Sequence, residues 1–369
     1  MSRASIALVT LDYPPEQGGV ARYLGNLVHA SNGAIDVFVP ETHQASGPGH
    51  VRQAHFFSRG WPAWRPMIGF IRSLSRRGYS YALISHALPI GTAAWLSRLM
   101  GGPKYAVLFH GLDLRLALRS KKTRWVLHRV LRGASLVIAN SQFVAQEIRQ
   151  FDATIKPTVI TPAVESLEFS DRTTARQNCD VSDQSFIILA VARLVMRKGI
   201  DHLIEAMSEL PSHAKLVIIG DGPEAASLQL TAQSLQLSAR VTFIPHATDH
   251  ERNAWYAAAD IFALPARDQG SDVEGFGIVY LEAALAGLPV IAGKSGGAGE
   301  AVINGVTGML IEPNDQAALI SAIQKFMDDP ALRERMGEAG RERVMKDFRW
   351  EERWERLKTI LREEDGHGM

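Results

Sequence analysis

Cysteine is nearly absent from this sequence: among 369 residues there is one, Cys179. A single thiol excludes a disulfide framework and any zinc site built on several cysteines, and it suits a reducing cytoplasm. No run of about 18 uncharged apolar residues occurs, so no membrane-spanning helix is expected. The chain passes from Met1 directly into the strand-like run Ile6–Leu11, without a basic segment and apolar core, so no secretory signal is expected. Several chemical signatures are missing as well. There is no GxGxxG fingerprint, and Asp36 after the next strand is too weak to rescue a dinucleotide site. Gly287 to Ser295, GLPVIAGKS, is one residue too long between its glycines for a phosphate-binding P-loop, and its PVIA segment is better read as a strand. No Asp-x-Asp or HExxH occurs, and His246 with His250 lacks a third ligand nearby, so no metal site is expected. Without a GxSxG elbow, a Ser–His–Asp hydrolase is unsupported.

What is present describes a globular α/β protein. The chain is 46% hydrophobic and 21% charged, and at roughly 150 residues per domain it predicts two domains. Its net charge of +1 hides an asymmetry. Residues 1–165 carry 19 Lys and Arg against 8 Asp and Glu, and the remainder carries 21 against 31. A basic first half suits an anionic membrane, nucleic acid or a phosphorylated substrate. Buried-strand runs recur at Ile6–Leu11, Ile35–Val39, Tyr81–Ser85, Ala106–His110 and Leu136–Ala139. The pattern restarts at Phe186–Ala192, Lys215–Ile219, Val241–Ile244, Ile261–Leu264 and Val290–Ala292. Continuous apolar runs separated by helical segments predict two doubly wound parallel sheets, joined through the polar stretch 165–184. The tail 347–364 places Trp350, Trp354, Leu357, Ile360 and Leu361 at helical spacing, an apolar stripe that must pack on something.

In open parallel sheets, ligands bind beyond the carboxyl ends of the strands, which directs attention to specific turns. The turn Pro14 to Val20 contains Gly18-Gly19 between a strand and a helix, where bare amides can approach a phosphate or simply turn the chain. Gly220-Asp221-Gly222-Pro223 follows another strand and is equally read as a tight turn with Pro at a helix start. Arg193 and Lys198 directly follow a strand, where two cations suit a departing diphosphate better than solvated surface charge does. Glu274-Gly275-Phe276-Gly277-Ile278 leads into an apolar helix containing Glu282. The amides there form a donor set at a positive dipole end, and a carboxylate can hold vicinal sugar hydroxyls; the bland alternative is a surface Glu at each end. His110-Gly111-x-Asp113 follows a buried strand and is read either as a substrate contact or as structural. Arg115 to Arg132 and Trp61 to Arg77 mix Trp and aliphatic residues with basic ones, fitting an interfacial surface; the alternative is core-facing helices with solvated basic faces.

Taken in order, Gly18-Gly19, His110-Gly111, Asn140-Ser141, Ala192-Arg193-Leu194, Arg197-Lys198-Gly199, Gly220 to Pro223, Glu274 to Glu282, Gly296 to Glu300 and Asn304-Gly305-x-x-Gly308 resemble the retaining nucleotide-sugar glycosyltransferases of family four. The resemblance spans nearly the whole chain. Asp272 to Val279 looks most like enzymes that add mannose or similar sugars to lipid-linked acceptors, and Gly299 departs from the Pro frequent there. The resemblance implies a GT-B fold, two facing Rossmann-like doubly wound domains with an interdomain cleft. Residues 1–168 would bind acceptor, 169–349 would bind nucleotide sugar, and helix 350–369 would cross back to the first domain. It also implies roles. Arg193 and Lys198 would clamp the donor diphosphate, and Gly18 and Gly19 would offer amides to it. Glu282 would hold the ribose, with Gly222 also at the donor. Glu274 would contact the transferred sugar beside the amides of Phe276, Gly277 and Ile278, and His110 would line the reacting centre.

The expected activity is therefore metal-independent transfer of a hexosyl group, mannosyl favoured, with retention. The transfer runs from a nucleoside-diphosphate sugar to a glycan or lipid-linked acceptor in bacterial surface polysaccharide, lipopolysaccharide or glycolipid synthesis. No cofactor and no nucleic-acid partner is expected. The enzyme would be cytoplasmic, with an anionic membrane surface as partner. A nucleotide-sugar epimerase or hydrolase of the same fold, a non-catalytic binding module and an NAD enzyme are the rival readings; the missing GxGxxG argues against the last, and the intact pairs of carboxylates and cations argue against a decayed module.

Overall fold

The structure, a computed structural model, describes residues 6–16, 18–44, 46–165, 167–270 and 272–366. Gln17 of the first glycine turn and residues 367–369 of the tail lie outside them. The chain divides into two compact units: 1–163 with 350–369, and 164–349. This boundary falls five residues before the expected one.

The first unit is built on β1 (Ile6–Val9), β2 (Ile35–Pro40), β3 (His50–Ala54), β4 (Tyr81–Ile84), β5 (Lys104–Phe109), β6 (Leu136–Ala139) and β7 (Thr158–Val159). They lie in the order β3-β2-β1-β4-β5-β6-β7, with every neighbouring pair parallel. β1, β2, β4 and β6 are buried at every position, as continuous apolar strands covered on both faces must be. Ala7, Val9, Ala82, Ile84, Val107, Phe109, Val137 and Ala139 share one core with Leu127, Val130 and Leu131 of the helix Lys121–Gly133. The C-terminal helix Trp350–Gly366 belongs to this unit, where the Trp350 ring meets the edge of Tyr23 at 5.1 Å. The apolar stripe of the tail thus finds its cover: Trp350, Trp354, Leu357 and Leu361 are all buried.

The second unit repeats the design with β8 (Phe186–Val191), β9 (Ala214–Ile219), β10 (Val241–Ile244), β11 (Ile261–Leu264), β12 (Val290–Gly293) and β13 (Gly308–Ile311). Their order, β10-β9-β8-β11-β12-β13, is again all parallel. In each unit the strand order reverses beside the first strand, between β1 and β4 and between β8 and β11. That reversal opens a crevice at the carboxyl ends where a doubly wound sheet takes its ligand.

Two expectations need correction. β3, β7 and β13 are strands that the apolar pattern does not reveal. β3 reads HVRQA with an exposed edge, β7 has two residues, and β13 begins with glycine. The polar stretch 165–184 is not a plain connector either. Asp171 caps a helix, Arg172–Asn178, whose buried Arg176 donates to the carbonyls of Ala258, Ser182 and Ser185. Those bonds fasten it to the second unit. Among the described residues, no helix is long and apolar enough to cross a membrane.

Candidate active site

At the crevice of the second unit, the chain leaving β8 runs through Ala192 to Lys198 and the chain leaving β11 runs through Pro265 to Gly277. Gly199 ends the first of these turns with φ +69°, and a Cβ there would stand 2.2 Å from the carbonyl oxygen of Pro265. Only glycine tolerates that backbone and that approach, which draws Lys198 against the second turn. Lys198 Nζ donates to Glu274 Oε2 at 2.5 Å, and Arg197 Nη1 donates to the same oxygen at 2.8 Å. Arg197 Nε lies 2.9 Å from Asp272 Oδ1. Lys198 and Glu274 are both buried. Burial pushes the Glu274 carboxyl up, but Lys198 and Arg197 outweigh it and hold the group below the usual range. Burial pushes the Lys198 ammonium down while Glu274 opposes it.

The loop that carries Glu274 is held from behind. Ser295, just past β12, accepts from the Glu274 amide at 3.2 Å and donates to Asp268 at 2.6 Å. The Glu274 carbonyl accepts from Gly297 N–H at 2.8 Å. Among the described residues, no acceptor within the protein takes the amides of Gly275, Phe276, Gly277 or Ile278. These four N–H groups open the helix Ile278–Leu285 and are available to an anion. Glu282 lies inside that helix, buried, and accepts from Tyr256 Oη at 3.0 Å.

Arg193 stands apart from this ion cluster. It is exposed, and among the described residues its guanidinium pairs with no carboxylate. Gly222 packs the turn after β9 against the turn after β8. A Cβ on it would meet the Leu194 carbonyl oxygen at 2.3 Å, and Leu194 exchanges hydrogen bonds with Asp221 O and Glu224 N–H. Gly222 therefore aligns the backbone that presents Arg193. Arg197, Asp268, Ser295 and Tyr256 are the participants that sequence reasoning missed. For Arg197 the adjacent Lys198 was the available signal; for the others, no local pattern marks them.

In the first unit, His110 directly follows β5. Its amide and that of Gly111 both donate to Asp113 Oδ1 at 3.0 Å, which turns the chain into the helix Leu112–Ala117. Asn140 Nδ2 reaches the His110 carbonyl at 3.4 Å, and Ser141 caps the next helix, giving Asn140-Ser141 a structural reason. Burial holds the His110 imidazole down at about 3, so it is neutral, and raises the Asp113 carboxyl to about 6. His110 meets the edge of Tyr23 at 5.3 Å. Gly18 and Gly19 start the helix Gly19–Ala30, with nothing within 4 Å of where a Cβ would sit. Among the described residues, no packing demands glycine at these two positions. The structure gathers Lys198, Glu274, Phe276, Gly277 and Ile278 in one crevice, with Glu282 on the following helix; His110, Gly18 and Gly19 belong to the other unit.

Comparison with known proteins gives a consistent picture. Residues 171–343 match the family model described as "Glycosyl transferases group 1", and residues 17–168 match "Glycosyltransferase Family 4". The chain is 31% identical to the GDP-mannose-dependent alpha-(1-6)-phosphatidylinositol monomannoside mannosyltransferase of Mycolicibacterium smegmatis, with 96% of this chain and 97% of that protein covered. It is also 31% identical to the GDP-mannose-dependent monoacylated alpha-(1-6)-phosphatidylinositol monomannoside mannosyltransferase of Corynebacterium glutamicum, over 97% of each. Among solved structures, sucrose-phosphate synthase from Thermosynechococcus elongatus superimposes with a TM-score of 0.84 at 25% identity, covering 99% of this chain and 100% of that one. Anabaena HepE in complex with UDP and glucose shares the fold, with a TM-score of 0.81 at 22% identity over 97% and 99% of the two chains.

Proposed function

This chain belongs to the group 1, family-four glycosyltransferases of GT-B fold, and from that premise we propose that it moves a mannosyl group from GDP-mannose to a lipid-linked, inositol-bearing glycolipid acceptor with retention of configuration. The observation that carries the reading is the Lys198–Glu274–Arg197 cluster at the crevice of the second sheet, in a chain related along its whole length to mannosyltransferases. The second unit takes the donor. Its diphosphate draws Lys198 and the exposed Arg193 and accepts from the free amides of Gly275 to Ile278. As Lys198 turns to the diphosphate, Glu274 is released to accept from hydroxyls of the transferred sugar and to face the cationic charge that develops at its anomeric carbon. Glu282 holds the nucleoside ribose.

The first unit takes the acceptor. The bond from the anomeric carbon to the diphosphate breaks, the bond to the acceptor oxygen forms on the same face, and the acceptor proton leaves with the diphosphate. Arg193, Lys198 and the amides supply the positive charge, so no metal requirement is expected. The acceptor would be met at the inner face of the cell membrane, in glycolipid or surface polysaccharide synthesis.

A thermal-shift screen of GDP- and UDP-sugars, followed by transfer assays with lipid acceptor and with chelator added, tests this. A ligand at 100 times its Kd stabilises by about 2.7 kcal/mol, which such a screen resolves easily. Stabilisation by GDP-mannose with chelator-insensitive transfer and an α-linked product is expected. Stabilisation by UDP-sugars alone, nucleotide release without product, or loss of transfer with chelator would overturn the donor, transferase or metal-free part respectively.

A further inference from the structure

The first unit has its own strand-order reversal, between β1 and β4, and a polar relay is built there from residues with no role assigned above. Thr10 Oγ1, at the end of β1, donates to the Asp12 carbonyl at 2.8 Å. Ser85 Oγ, at the end of β4, donates to Thr10 Oγ1 at 2.8 Å. Ser85 Oγ also lies 2.7 Å from His86 Nδ1, so the ring is held between Ser85 and Asp12, its donor and acceptor roles set by the tautomer. The imidazole is thereby fixed in orientation, and its Nε2 lies 3.1 Å from Asp12 Oδ2. Thr10 and Ser85 are fully buried, whereas the Asp12 side chain is 42% exposed. A buried relay that ends on an open carboxylate presents that carboxylate to whatever enters the crevice.

The surrounding groups define what can enter. The hydrogen bond from His86 holds the Asp12 carboxyl below its ordinary range. Burial together with the Asp12 charge raises the Glu16 carboxyl. The half-exposed Glu16 side chain also faces the buried His43, 3.6 Å away. His110 and His86 interact electrostatically with each other, and Asp12 acts on His110 as His86 does on Asp113. His110 Nε2 and Asp113 Oδ2 are buried without a hydrogen-bond partner in the protein. Among the described residues, no group of three or more His, Cys, Asp or Glu side chains is arranged to hold a metal ion. The face therefore brings together carboxylates and imidazoles, with no Lys or Arg among the groups just named. A phosphate oxygen placed there would meet the Asp12 carboxylate; a ring hydroxyl would both donate to it and accept from a neighbour.

We propose that Asp12, oriented through His86, Ser85 and Thr10, is a specificity-determining contact for an uncharged polyhydroxylated ring, a cyclitol or pyranose, and turns anionic substituents away from this face of the first unit. This deepens the reading of that unit as the acceptor-binding one. Asp12 acts by binding, while His86, Ser85 and Thr10 are positioning residues.

The test needs no donor, so it stands separately from the donor screen. The full-length protein is titrated with myo-inositol and with methyl α-D-mannopyranoside by saturation-transfer NMR, with inorganic phosphate as competitor. Expected is binding of at least one uncharged probe, weakened about tenfold or more in Asp12→Asn, as the loss of a hydrogen bond to a charged acceptor implies. Asp12→Glu should restore part of the binding, His86→Ala should weaken it, and phosphate should not displace it. In transfer assays, Asp12→Asn should raise the acceptor KM by a similar factor while leaving the donor KM unchanged. Because Asp12 is partly exposed, Asp12→Asn should fold, and its melting temperature checks this even where His86→Ala does not fold. Unaltered probe binding in Asp12→Asn, displacement by phosphate, or no binding of either probe to the wild type would overturn the proposal.

Discussion

Lys198 Nζ lies 2.5 Å from Glu274 Oε2, an ion pair closed across 76 residues of chain and buried on both sides. Such a pair is stabilising only while intact, because a lone buried charge costs several kcal/mol. Glu274→Gln should therefore destabilise the protein by about 3–5 kcal/mol, and Lys198→Met should recover part of that loss in the double variant. Urea unfolding of the two single variants and the double variant measures the coupling; strict additivity would mean that the pair does not exist in solution.

Arg193 makes the contrasting case. Exposed and without a carboxylate partner among the described residues, it contributes little to folding. Arg193→Ala should leave stability within about 0.5 kcal/mol while lowering turnover about 10²–10³-fold, the usual effect of removing one contact to developing charge. Unchanged turnover would remove Arg193 from the donor site.

The two carboxylates of the donor unit should separate kinetically. Glu282 sits within a helix with Tyr256 Oη donating to it, so its direction is fixed before any ligand binds. Glu282→Gln should mainly raise the donor KM, and Tyr256→Phe should do the same to a smaller degree. Glu274→Gln should lower kcat more than it raises the donor KM, because its contact strengthens as the sugar becomes cationic. Steady-state kinetics at saturating acceptor would expose the reverse pattern.

Asp113 and His110 link the stability of the first unit to pH with opposite signs. The Asp113 carboxyl is raised from 3.8 to about 6. Its contribution is thus fully present below pH 3.8 and lost as pH rises through about 6. The His110 imidazole is lowered from 6.5 to about 3, so its contribution is present above pH 6.5 and lost as pH falls through about 3. Asp113→Asn preserves the acceptor for the amides of His110 and Gly111 and removes the carboxyl titration. Its stability relative to wild type should rise between about pH 4 and pH 6, by about 3 kcal/mol at most, and then level off. Denaturant midpoints across that range check the slope; a constant difference would place Asp113 in water.

The basic helical segments of the first unit divide between core and surface. Leu127, Val130 and Leu131 of Lys121–Gly133 turn inward to the core, so the amphipathic pattern there is largely spent on folding. Trp61, Trp125, Leu112 and Leu116 nevertheless stay exposed, and Lys121, Lys122, Arg124 and Arg129 are exposed along the helix that carries Trp125. Sedimentation with anionic vesicles should exceed that with neutral ones and weaken with salt. Trp125→Ala should reduce it. Equal sedimentation with both vesicle types would assign these residues to the protein alone.

The sequence by itself determined the two α/β units and most of their strands, because a strand buried on both faces must be apolar at every position and announces itself locally. It also marked Lys198, Glu274 and Glu282 as residues of interest, since charge beside glycine at a strand's carboxyl end has few structural uses. It could not reveal β3, whose solvent-facing edge carries His50, Arg52 and Gln53, or the two-residue β7. Nor could it tell that Arg197 rather than Arg193 shares Glu274 with Lys198, or that Ser295 and Asp268 fix the Glu274 loop. Thr10, Asp12, Ser85 and His86 were likewise invisible as a set. Parallel pairing of β1 with β4 places two strand ends from distant parts of the chain side by side. Hydrogen-bond partners of that kind are chosen by sheet order and register, which only the tertiary structure decides, because no local pattern encodes which strand ends will be neighbours.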